Sequence, residues 1–311
     1  MTLNNMVYSY NFSWGKLKDE QYPNVIREYL DNGVDTFVFT DTMIKSAIEE
    51  PSRLDFFRKL AREFSVRFVS MHAPCGGRTY DLSIPVAEQR PGILKAHIRG
   101  IEIASEFGCK TYTVHPGAYY NLAWHYPLNI LREKSLEMLE KLLPHAEKNG
   151  VVIAVENSFE PPNSPYEVVG LIKPFASSPF IGACYDTGHA NVMASAPGKE
   201  LAKYAAYVKH AWWEKGIIQV EDALGIMQPY VVTTHIHDND GYGDLHGMPF
   251  DGTIDWKSLM PRLESCPRML EMQTELHFDH GPFWAGMSLA PVGGYSIRRQ
   301  VEVFSRLGFK N

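Results

Sequence analysis

The chain has 311 residues, 45% hydrophobic and 21% charged, with 30 Lys and Arg against 36 Asp and Glu for a net charge of −6. This is ordinary globular usage, which argues against a disordered or fibrous chain, and the length suits one large barrel or two modest domains. The acidic balance disfavours a nucleic-acid partner, and no run of about eighteen apolar residues is present to span a membrane.

The N-terminal stretch has no basic segment followed by an apolar one, so no secretory signal is expected. Cys75, Cys109, Cys184 and Cys266 are isolated, without a CxxC pair. That argues against a zinc ribbon or a disulfide framework, and a reduced, cytoplasmic protein is the expectation.

In chain order, eight short runs rich in Val, Ile, Thr, Tyr and Phe read as strands: 7–13, 35–41, 65–73, 110–117, 151–158, 181–189, 231–240 and 268–276. Between them lie segments with apolar residues at spacings of three and four, among them PNVIREYLDNG, LDFFRKLAREF, ILKAHIRGIEIASEFG, NILREKSLEMLEKLLPHAEKNG and IDWKSLMPRLES. These read as amphipathic helices. Gly33, Gly108 and Gly150 each stand between a helical stretch and a strand, as helix-terminating glycines do. Eight strands each followed by a helical stretch predict an α/β protein with a single (β/α)8 TIM barrel, one domain over residues 1–311. A doubly wound sheet would place a Gly-rich phosphate turn after the first strand, and YNFSWGKL is not one.

In such a barrel the chemistry sits at the C-terminal ends of the strands. There the sequence carries His72, His115, Glu156-Asn157-Ser158, Asp186-Thr187-Gly188-His189, His235-Ile236-His237-Asp238, then Asp244 and His246, and finally Glu271 and Glu275. One such residue is most simply a polar loop end. Six strand ends bearing His, Asp or Glu are costly to gather without a compensating cation. Oxygen and imidazole donors without Cys suit Mn, Zn, Co or Mg. His235 and His237 face the same way, as do Glu271, Gln273 and Glu275, and in each set the more C-terminal residue lies nearer the barrel mouth. His237 and Glu275 are therefore preferred as ligands, with His235 one layer down or supporting, and Glu271 requiring a buried partner. Trp14 and Trp284 are candidates for a wall against a substrate ring, whereas Trp256 opens a helix and is read as structural.

The strings ENS at 156–158, DTGH at 186–189 and HIHDNDGYGDLHGMPFDGTIDW at 235–256 resemble the xylose isomerase-like TIM-barrel superfamily, with His115-Pro116 and HAP at 72–74 as supporting signals. The resemblance covers about residues 65 to 276. It implies a sugar isomerase or epimerase in which one divalent metal is held by Glu156, Asp186, His237 and Glu275. Glu156 and Glu275 would also be the catalytic acid/base pair, moving a proton next to a carbonyl through an enediolate. His189 would touch a sugar or cyclitol substrate. An arginine that some epimerases place soon after the seventh-strand His is absent; Asp244 and His246 stand there.

The same superfamily contains endonuclease IV-type phosphodiesterases with three zinc ions. Every ligand of that branch has a counterpart among His72, His115, Glu156, Asp186, His189, His237, Asp244, His246 and Glu275; of these, His72, His115, His189, Asp244 and His246 are the substrate-binding or additional metal ligands. Phosphate-backbone binding relies on Lys and Arg. The loop 74–92 has only Arg78 and Arg90 as cations, and the seventh-strand loop is acidic with none. The isomerase or epimerase expectation is therefore preferred, ahead of the phosphodiesterase. A lyase or dehydratase using the same enediolate logic is a further alternative, and a barrel that binds without catalysing ranks last. The sugar, its phosphorylation, the metal and any homo-oligomer are not legible in one chain.

Overall fold

The computed structural model of the protein describes residues 6–75, 79–117, 126–195, 198–209, 217–278, 288–291 and 293–310. Eight strands lie where the β-rich runs predict them: β1 (Val7–Ser9), β2 (Thr36–Phe39), β3 (Arg67–His72), β4 (Thr111–Val114), β5 (Val152–Glu156), β6 (Ile181–Asp186), β7 (Val231–Ile236) and β8 (Glu271–Thr274). All neighbours pair in parallel, in the order β1-β8-β7-β6-β5-β4-β3-β2. The ring closes through Tyr10, whose N–H donates to Thr36 O at 3.1 Å and whose carbonyl accepts from Val38 N–H at 3.0 Å. This is the TIM barrel the alternation implied.

Helices cover the outside because their apolar stripes have nowhere else to go. In Pro51–Phe64 the buried residues are Leu54, Phe57 and Leu60, spaced by three. Each such side chain contributes roughly 1.5–3 kcal/mol on leaving water. The helices Arg90–Phe107 and Leu128–Asn149 end on Gly108 and Gly150 in the left-handed region, at φ 78° and 68°. The β2–β3 crossover holds an additional helix, Asp41–Glu49, and the long region after β6 contains the short helices Ala206–Lys209 and Ala223–Met227. Every strand is shorter than the run read from the sequence, and at β6 the reason is local. β6 stops at Asp186, and Thr187–Met193 is already helical, because Asp186 caps that helix by accepting the His189 N–H at 2.6 Å.

The barrel interior is polar rather than aliphatic near its centre. The Ser9 and Ser70 hydroxyls lie 3.1 Å apart. Glu271 has the buried partners that its position demands: it accepts hydrogen bonds from Thr111 and from Thr233, the latter at 2.9 Å. Burial pushes its carboxyl up to about 7 despite these donors. No described helix is long and apolar enough to cross a membrane.

Candidate metal centre and active site

The strand ends converge on a cavity of about 540 Å³ lined by His72, His115, Glu156, Asp244, His246 and Glu275 on one side. Trp14 and Lys16, from the β1 side, line it as well. His72, Glu156 and Asp186 are the last residues of their strands, His235 lies within β7, and Glu275 follows β8 by one position. Thus β3, β5, β6, β7 and β8 each deliver a donor to one place. Of the other donors, His115 follows β4 by one position, His189 lies in the helix Thr187–Met193, and Asp244 and His246 hang from the loop after β7.

At the floor, His235 Nδ1 sits 3.1 Å from Glu156 Oε1 and 3.0 Å from Glu275 Oε2. The donor atoms of Glu156, Asp186, His235 and Glu275 all lie within 4.8 Å of one another. To one side, Glu156 Oε2 faces His115 Nε2 at 3.1 Å and His72 Nε2 at 3.4 Å. To the other, Asp244 Oδ2 lies 3.2 Å from His189 Nε2 and 3.1 Å from His246 Nε2. Glu156 therefore belongs to two adjacent groups, and His189, Asp244 and His246 make a further one.

These groups fit a divalent cation by a test independent of residue type. Glu156 Oε2, Asp244 Oδ1, Glu275 Oε2 and His235 Nδ1 are buried without a well-directed hydrogen bond, although imidazole or carboxylate atoms of the cluster stand 3.0–4.0 Å away. Buried polar atoms left unbonded are expensive, and a cation at their centre would satisfy them together. The titration behaviour agrees. Burial alone would raise Glu156 and Glu275 and lower the histidines. Instead His115 and His235 hold Glu156 well below the usual carboxylate range, and His235 and His246 do the same for Glu275. Conversely, burial depresses His246, but Asp244 more than offsets it and brings the imidazole up to about 9. Against the same burial, His189 and His235 are held well above their ordinary value, by Asp186 and Asp244 in the first case and by Cys184, Glu156 and Glu275 in the second. Protons on imidazoles balance the carboxylates where a metal would otherwise do so.

The candidates from sequence are brought together: His72, His115, Glu156, Asp186, His189, His237, Asp244, His246 and Glu275 all belong to this cluster of contacts. His235 stands among Glu156, Asp186 and Glu275, whereas His237 lies beside Asp186, with Nε2 3.0 Å from Oδ2, and groups with His246 and Glu275. His237, His246 and His277 form a stack of rings at 4.0 and 4.1 Å. His277, which lines the cavity, carried no signal beyond its position after β8. Gly188 explains itself here, since a Cβ there would collide with the His237 ring. Trp14 lines the cavity with its other face stacked on Tyr22 at 5.5 Å. Trp284, with Tyr119 and Arg78, lies outside the described residues. Arg90 is committed to Ile84 O, Lys134 O and Glu137, and Trp256 donates from Nε1 to Asp238 Oδ2 at 2.8 Å.

Comparison with known proteins bears on the fold and the family. A curated relative, the uncharacterized protein y4fM of Sinorhizobium fredii (strain NBRC 101917 / NGR234), is 30% identical over 152 residues, 49% of this chain and 40% of that protein. The chain thus matches less than half the length of that relative. Among solved structures, a D-psicose 3-epimerase in the presence of D-fructose superposes with a TM-score of 0.70 at 15% identity, covering 98% of this chain and 100% of that one. The IOLI protein with a binding zinc atom superposes with a TM-score of 0.61 at 15% identity, covering 97% of this chain and 96% of that one. At these identities the structural likeness concerns the fold. The model of the xylose isomerase-like TIM barrel matches residues 26–273, and the chain belongs to that family.

Proposed function

We propose that the protein is a divalent-metal-dependent isomerase or epimerase of a small sugar or cyclitol, moving a proton on the carbon next to a carbonyl. One observation carries this reading: carboxylates from β5 and from the end of β8, Glu156 and Glu275, converge on the same nitrogen of His235 at 3.1 and 3.0 Å. Two carboxylates approaching one point from different strands are what a reaction needs that removes a proton on one side of a carbon and returns it on the other. Glu156, Asp186, His235 and Glu275 would hold the ion, with His237 beside Asp186. When bound, it would polarise the carbonyl and neighbouring hydroxyl and lower the cost of the enediolate.

In this scheme one glutamate takes the proton from the carbon, the electron pair moves into the carbonyl, and the other glutamate returns a proton to the opposite face. His189 and His246 would hydrogen-bond substrate hydroxyls, and Trp14 would cover an apolar ring face. The cavity of about 540 Å³ is the size of a small-molecule site. Lys16 is the only Lys or Arg among the described lining residues, which favours a substrate without a phosphate. The test is deuterium incorporation from solvent into ketoses and cyclitols, followed by NMR with metal-replete protein. Exchange at the carbon beside the carbonyl that is lost with chelator supports the proposal. No exchange across the panel in protein carrying its ion would refute it.

A second reading, phosphodiester hydrolysis, has a specific observation behind it. His72, His115 and Glu156 on one side and His189, Asp244 and His246 on the other leave room for more than one ion. Clustered ions suit in-line displacement at phosphorus. Metal content per chain, measured without added metal, separates the two. About one equivalent supports the epimerase reading; close to three of zinc directs the assay to abasic DNA and other phosphodiesters.

A further inference from the structure

The acidic residue directly after His237 does not take part in the cluster above, and its surroundings are unusual. Asp238 is wholly buried, and its four side-chain hydrogen bonds all come from neutral N–H groups. Oδ1 accepts from Asn239 N–H at 2.9 Å and Ile254 N–H at 3.2 Å. Oδ2 accepts from Phe250 N–H at 3.0 Å and Trp256 Nε1–H at 2.8 Å. Its backbone exchanges two further hydrogen bonds with Gly247, at 2.8 and 2.7 Å. One residue therefore grips the loop after β7 near its start, its middle and its end.

That loop carries Asp244 and His246. Its backbone is strained on either side of Gly247, with His246 at φ 43° and Phe250 at φ 74°. Such conformations persist only where the surroundings over-determine them. Gly252 is part of the same grip, because a Cβ there would collide with Asp238 Oδ1. We propose that Asp238 is a positioning residue: a buried carboxyl group whose two oxygens are held by four N–H donors, fixing residues 239–256 so that Asp244 and His246 meet His189 around a second divalent ion. This rests on the second reading above, in which His189, Asp244 and His246 hold an ion beside that of Glu156, Asp186, His235 and Glu275 instead of contacting substrate hydroxyls.

The test compares Asp238→Asn, Trp256→Phe and Asp244→Asn with the parent, each stripped with chelator and titrated with zinc. Amide exchange at Asn239, Phe250 and Ile254 is followed in the metal-free proteins. An Asn at 238 turns one acceptor into an NH2 group facing donors. Asp238→Asn is expected to bind one zinc equivalent fewer than the parent, keep the ion of Glu156, Asp186, His235 and Glu275, and expose the three amides to faster exchange. Trp256→Phe removes a single donor and should weaken the affected ion roughly fivefold, the effect of one net hydrogen bond. If Asp244→Asn loses an equivalent while Asp238→Asn keeps the parental titration, the positioning role is wrong. It is equally wrong if folded Asp238→Asn loses every ion together. If Asp244→Asn retains all ions, the ion-holding reading of the loop fails and takes the inference with it. Should Asp238→Asn not fold, Trp256→Phe decides, and parental zinc affinity in it overturns the proposal.

Discussion

Asp186 and His235 are register partners at the mouth end of β6 and β7, with Oδ2 and Nδ1 3.8 Å apart. The pairing depends on an irregularity one turn of the pleat earlier. Ala183 aligns with Val231, but Cys184 aligns with Thr233, so β7 gains a residue on β6. Without it Asp186 would stand beside Thr234, whose side chain points to the other face of the sheet. The shift puts His235 at the level of Asp186 and lifts His237 one layer above it.

Exchanging each histidine for glutamine separates their roles. His235→Gln should remove the ion of Glu156, Asp186 and Glu275, along with turnover. His237→Gln should weaken metal binding by roughly 10–100-fold, the range for groups that orient ligands rather than supply them. Zinc titration of the stripped variants checks this; equal losses in the two would make His237 a ligand of the same ion.

Glu156→Gln and Glu275→Gln are each expected to abolish turnover, since in the proposed reaction either change removes a proton carrier and a metal donor at once. Glu271→Gln should leave metal and turnover intact. Its carboxyl is raised from the ordinary 4.5 to about 7 by burial, so the folded state binds its proton more tightly than the unfolded state. That interaction costs stability as pH rises from about 4.5 to about 7. Melting temperatures against pH should therefore fall less steeply in Glu271→Gln than in the parent. A Glu271→Gln protein that melts like the parent but loses metal would move the β8 ligand to Glu271.

Metal binding should strengthen with pH. His246, near 9 in the metal-free protein, must give up its proton to become a ligand, so zinc affinity rises up to about pH 9 and binding at neutral pH releases protons. Stability without metal runs the other way. A folded-state value raised from 6.5 to about 9 contributes stability that is complete below about 6.5 and lost as pH climbs through 9. Calorimetric zinc titrations in buffers of different ionisation enthalpy count the protons, and melting after chelation follows the second trend. Zinc affinity independent of pH between about 6.5 and about 9 would exclude His246 as a ligand.

Trp14 is buried against Tyr22, Phe12 and Phe37 while lining the cavity. Trp14→Ala should cost roughly 3–5 kcal/mol of stability, as large aromatic truncations do. Trp14→Phe keeps most of the packing and should raise KM more than it lowers kcat if the indole covers substrate. An unchanged KM would leave Trp14 a purely structural residue.

The barrel and the neighbourhood of its chemistry are legible in the chain alone. Strand and helix periods are local, and polar residues ending apolar runs must lie at the strand termini, so His72, Glu156, Asp186 and Glu275 can be placed without a fold. The acidic loop after β7 reads in sequence as a surface hostile to DNA. In the fold several of its carboxylates are tied to the loop's own backbone: buried Asp238 grips the loop, while exposed Asp240 accepts from the Tyr242 and Gly243 amides and exposed Asp255 caps the helix Trp256–Glu264. The ranking of His235 and His237 belongs to the folded molecule. Alternation puts both on the barrel interior with His237 nearer the mouth, but their level against Asp186 is set by the register between strands, which a one-residue irregularity in β7 changes. His277 and the threonine partners of Glu271 were hidden for the same reason: they meet their neighbours across strands far apart in the chain, where no local pattern records the contact.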